Sequence, residues 1–89
     1  MSLGFNLPVH KIELEGNTLF FKEATIADMK AIKELDAEVG ATELFKRTYC
    51  NEQGQKVEVK DEEIFDLPAQ IATSLFEFIA KINSGQKKS

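Results

Sequence analysis

The segment from Ala69 to Ile82 constrains this chain more than any other stretch. On a helix at 100° per residue, Ile71, Leu75, Phe78, Ile79 and Ile82 fall on one stripe. Ala69, Ala72, Phe76 and Ala80 widen the apolar arc to roughly half the circumference, where a helix packed on one side needs about 100°. Gln70, Ser74, Glu77 and Lys81 take the wet side. Leu67-Pro68 marks the start, because a first-turn proline gives up an N–H that has no helical partner. Asn83-Ser84-Gly85 is a strong stop. A helix this apolar is either wrapped on two sides by its own domain or leaves one edge for another chain. That edge carries Ala72, Phe76 and Ala80, the expected contact residues.

The remaining elements must supply the wrapping. Val9, Lys11 and Glu13 alternate with His10, Ile12 and Leu14, and Glu15-Gly16-Asn17 supplies turn residues before Thr18–Lys22. This pattern predicts a β-hairpin in which Gly16 and Asn17 take the positive φ values of the turn. Thr25 with Asp28 predicts an N-cap and capping box. Beyond it, Ile26, Met29, Ile32, Leu35 and Val39 recur at helical spacing, so an amphipathic helix of about four turns is expected, ended by Gly40. Thr42 is expected to cap a shorter second helix carrying Leu44, Phe45, Thr48 and Tyr49; Phe45 and Tyr49 are secondary contact candidates, since aromatic edges often anchor interfaces. Val57 and Val59 alternate with charges, as in a short edge strand, and Asp61–Phe65 reads as a single helical turn.

The fold class expected is therefore α+β: a small antiparallel sheet, from the hairpin and a possible third edge strand, packed against about three helices. Ile12, Leu14, Leu19, Phe21, Met29, Ile32, Leu35, Leu75 and Ile79 are the expected core. A chain of 89 residues with 43% hydrophobic and 29% charged residues suits one domain, read here as 1–85 with 86–89 as a disordered tail. A domain so small has thin stability, and self-association is one way to raise it.

Charge and motifs narrow the function classes. The net charge of −4 offers no basic footprint for nucleic acid. No apolar run approaches the roughly 20 residues that span a bilayer, and the first residues lack a signal-peptide pattern. The single cysteine suits a reducing compartment, so the cytoplasm is the expected location. His10 has no nucleophile or carboxylate pattern beside it, and Cys50 reads as a small buried hydrophobe. Asp61-Glu62-Glu63 lacks the alternating ligands and glycine of a calcium loop and reads as a solvated helix start. With no phosphate-binding loop, paired cysteines or nucleophile elbow, no enzyme activity, cofactor or metal is expected; the expected partner is protein.

Three stretches carry a resemblance. Gly16-Asn17 sits in a hairpin turn that leads into Phe21-Lys22-Glu23-Ala24-Thr25-Ile26-Ala27-Asp28; Leu67-Pro68-Ala69-Gln70-Ile71 opens the last helix, and Ile82-Asn83 closes it. From Lys11 to Asn83 this order resembles the tail assembly chaperones of tailed bacteriophages. The resemblance implies a non-enzymatic assembly factor that coats the long helical tape-measure protein, keeps it soluble, tends to self-associate and is absent from the finished particle. It also implies a −1 frameshift site near the end of the gene, for which Gln86-Lys87-Lys88 allows suitable codons. Two other readings fit the residues: an acidic regulatory module of antitoxin type that neutralises a basic partner, and a structural tail component. Binding that weakens steeply with salt marks the former; presence in purified virions marks the latter.

Overall fold

A computed structural model describes residues 8–83. Among them the order is β1 (Val9–Leu14), β2 (Asn17–Lys22), α1 (Ile26–Ile32), α2 (Ala37–Thr48), β3 (Tyr49–Cys50), α3 (Asp61–Phe65) and α4 (Ala69–Ile82). The three strands form one antiparallel sheet in the order β1-β2-β3, so the chain is α+β. The tail read over 86–89, with Ser84 and Gly85, lies outside the described residues.

Alternation builds the hairpin. His10, Ile12 and Leu14 turn inward and pair with Phe21, Leu19 and Asn17, while Val9, Lys11 and Glu13 turn out. The turn has two residues, Glu15 at φ 52° and Gly16 at φ 80°, and both are left-handed as a primed turn requires. The positive φ expected at Asn17 thus falls on Glu15, because Asn17 is already the first residue of β2. Short hairpins favour this two-residue turn because its twist matches that of the strands.

The four-turn helix expected from Ile26 to Val39 is two helices. Thr25 caps α1 with the predicted capping box to Asp28. Asp36 then interrupts the run: its Oδ1 accepts the Val39 N–H at 2.9 Å and starts α2. Aspartate satisfies an N-terminal amide far better than it serves a helix interior. Gly40 therefore lies inside α2 and ends nothing, and Thr42 caps nothing; its hydroxyl donates to the Glu38 carbonyl one turn back, at 3.1 Å. The break redirects the apolar stripe. Met29 and Leu35, expected in the core, are 44% and 39% exposed, and Ile32 is only half-buried.

The third strand is not the one expected around Val57. α2 ends at Thr48, and the chain continues extended so that Tyr49 pairs with Phe21 and Cys50 with Phe20. The Val57 segment touches this strand only through a Cys50–Lys56 bridge and the Val57 N–H, which donates to the Tyr49 carbonyl at 3.1 Å. Asn51 holds the intervening loop, its Oδ1 accepting the N–H groups of Gln53 and Gln55, each at 2.9 Å.

The core gathers on the inner face of the sheet. Phe21, Phe45, Ile64, Leu75 and Ile79 form its buried centre, with Ile12, Leu14 and Leu19 packed against it. The Phe21 ring meets Phe45 edge-on at 5.1 Å between centroids and Tyr49 at 5.4 Å, and this geometry suits the ring quadrupoles. Ion pairs tie the helices together at the surface. Arg47 Nη1 reaches Asp28 Oδ1 at 3.1 Å, linking α1 to α2, and Lys46 Nζ reaches Asp61 Oδ1 at 2.8 Å, linking α2 to α3.

Candidate protein-binding surface

The apolar edge of α4 opens on a trough of about 590 Å³ between the first half of α2, α3 and the first half of α4. Ala41, Phe65, Leu67, Ala69, Ala72 and Phe76 line it, and Glu38 is the one charged residue among its lining residues. The sequence pattern of each element explains this placement. α4 spends Leu75 and Ile79 on the core, so Ala72 and Phe76 fall on its flank, half-buried. α3 is short, and burying Ile64 forces its neighbour Phe65 outward, where the ring is 67% exposed.

The candidate residues separate into four places. Ala72 and Phe76 share the trough. Phe76 also rests edge-on against Phe45, 5.9 Å between centroids, so its base is braced by the core. Phe45 belongs to that core at 3% exposed and presents no surface to a partner. Tyr49, expected on a helix, is on β3 and lines a smaller groove of about 380 Å³ on the other flank of α4, with Ile71 and Leu75. Ala80 is exposed, two turns beyond Ala72, and lines neither groove. Phe65 and Ala41, which also line the trough, carry no contact signal in the sequence pattern. Phe65 follows Ile64 directly, about 100° around the same turn, so with Ile64 in the core its ring falls to the flank.

The electrostatics around the trough are acidic. Among the described residues, Glu38 on α2 and Asp66 beyond α3 have no ion-pair partner, whereas Glu43 and Asp61 are held by Lys46 and Arg47. Hydrogen bonding to Asp61 holds the Lys46 ammonium above its usual value, so the lysine keeps its charge. Burial pushes the Cys50 thiol up, only partly opposed by Lys22, which keeps it protonated and poorly nucleophilic. His10 Nε2 sits 2.9 Å from Glu23 Oε2, a half-exposed pair with no third group aligned on it among the described residues. Among the described residues, no group of three or more His, Cys, Asp or Glu stands where it could hold a metal ion, and no helix is long and apolar enough to cross a membrane.

Two of the stretches that carry the chaperone resemblance meet in space. Asn83 Oδ1 accepts the Ala24 N–H at 2.7 Å while its Nδ2 donates to the Ile79 carbonyl at 2.9 Å. The asparagine that closes α4 thereby fixes the backbone just before the Thr25 cap. Compared with known protein families, curated proteins and solved structures, the chain matches none.

Proposed function

We propose that this protein is a non-enzymatic assembly chaperone of the phage-tail type, working in the host cytoplasm, that holds a long helical client, the tape-measure protein, soluble until tail subunits replace it. The observation that carries this reading is the apolar trough containing Phe65, Ala72 and Phe76. A trough lined by alanines and two phenylalanines suits the apolar stripe of an amphipathic helix, and small alanines let a client backbone approach closely. Such contacts make few sequence demands, which a chaperone of a long, repetitive client needs. The order of motifs from Lys11 to Asn83 supports the same reading.

Co-expression with the tape-measure protein of the same genome tests it. The wild-type chain should keep the client in the supernatant. Phe65→Asp, at a site too exposed to disturb folding, should send most of it to the pellet. A client that stays soluble without the chaperone, or equally well with the variant, would remove this function.

A further inference from the structure

The outer edge of β1 is a second candidate surface, on a different element from the trough. β1 is a terminal strand of the sheet, and among the described residues no other strand pairs with its far side. Its phase follows from the hairpin. The Glu23 N–H donates to the Pro8 carbonyl at 3.3 Å, and the two-residue turn makes Leu14 and Asn17 the first bonded pair. Pro8, His10, Ile12 and Leu14 therefore spend their backbone groups on β2. Val9, Lys11 and Glu13 aim theirs outward, since bonded and non-bonded positions alternate along an antiparallel strand.

We propose that this edge pairs with the same edge of a second copy of the chain, antiparallel and with Ile12 on the two-fold axis, joining two three-stranded sheets into one. The charges favour this register: an axis at His10 sets Val9 against lysine and gains no opposite-charge pair, and the two remaining central positions fare worse. Only outward-aiming residues can bond across the seam. Placing the axis at Lys11 sets lysine against lysine, and placing it at Glu13 sets glutamate against glutamate; both are destabilising for directly opposed residues. With the axis at Ile12, Lys11 lies opposite the second copy's Glu13, and Glu13 opposite its Lys11. Each of these two pairs exchanges two backbone hydrogen bonds. The side chains are ready for it: Lys11 Nζ and Glu13 Oε2 are 3.7 Å apart on the outer face, with 59% and 65% of their side-chain surface exposed. On the inner face the half-buried Ile12 side chains meet at the axis, a non-bonded pair, where side chains lie closest. A lysine on a strand edge ordinarily discourages pairing; here a glutamate two residues on supplies its mate. The inference does not depend on the chaperone reading.

Charge reversal tests it on the full chain by sedimentation velocity over a wide concentration series. The wild type should be a reversible dimer. Lys11→Glu and Glu13→Lys, each placing two like-charged pairs across the seam, should weaken it by about tenfold or more, and the double reversal should restore it to within about threefold. Lys11→Pro removes an outward N–H and no bond to β2, so it should abolish the dimer and leave the circular dichroism spectrum intact. A wild type that is monomeric throughout overturns the proposal, whether the edge then serves another protein's strand or only water. Association indifferent to the single reversals, or not rescued by the double, overturns it equally.

Discussion

At Asp28 one carboxylate oxygen accepts the Thr25 N–H at 2.9 Å while the other meets Arg47 Nη1 at 3.1 Å. Burial by itself would push this carboxyl up, but hydrogen bonds from the Thr25 backbone and from Arg47 outweigh it and hold the carboxyl below its ordinary value of 3.8. A carboxylate lowered in the folded state adds stability that is complete above the unfolded value and disappears as pH falls through the folded one. Asp28→Asn should therefore be less stable than wild type at neutral pH, and the gap should narrow as pH drops below about 3.8. Denaturant midpoints at a series of pH values check this; a gap that is constant with pH would show that the carboxylate's charge is irrelevant. The Thr25–Asp28 box is visible in the sequence because its partners lie three residues apart. The Arg47 and Asn83 contacts are not, because Asp28–Arg47 spans 19 residues and Ala24–Asn83 spans 59.

Among the elements, the hairpin holds local strain. Glu15 takes φ 52°, a region that crowds its Cβ, whereas asparagine tolerates it. Glu15→Asn should raise stability by about 0.5–1 kcal/mol, read from the denaturant midpoint. A lowered midpoint would mean that Glu15 makes a compensating contact. The α1–α2 break shows where periodicity misleads. Apolar residues from Ile26 to Val39 keep helical spacing across Asp36, yet most of them face solvent, Ile26 at 77% exposed. Spacing shows which residues share a face; it does not show whether that face finds a neighbour.

For the molecule as a whole, the core under α4 and the trough beside it differ in what they contribute. Leu75 is fully buried against the sheet, so Leu75→Ala should lose about 2–5 kcal/mol. Phe65→Ser, on the trough, should change stability by no more than about 0.5 kcal/mol. Thermal unfolding of the two variants side by side checks the division; a large loss from Phe65→Ser would place that ring in the core rather than on a surface for partners.

The α+β class, the hairpin, the first cap and the last helix follow from the sequence alone, because each rests on interactions within a few residues: alternation, a Thr-x-x-Asp box, a Pro start. The same is true of the apolar excess on α4. Tertiary structure decided the rest. It drew Tyr49 and Cys50 into the sheet, buried Phe45, and set Phe65 beside Ala72 and Phe76, whereas the break at Asp36 is a local cap that the unbroken apolar spacing masks. These outcomes depend on which apolar faces reach the small core of Phe21, Leu75 and Ile79 first, and that competition is between segments far apart in the chain.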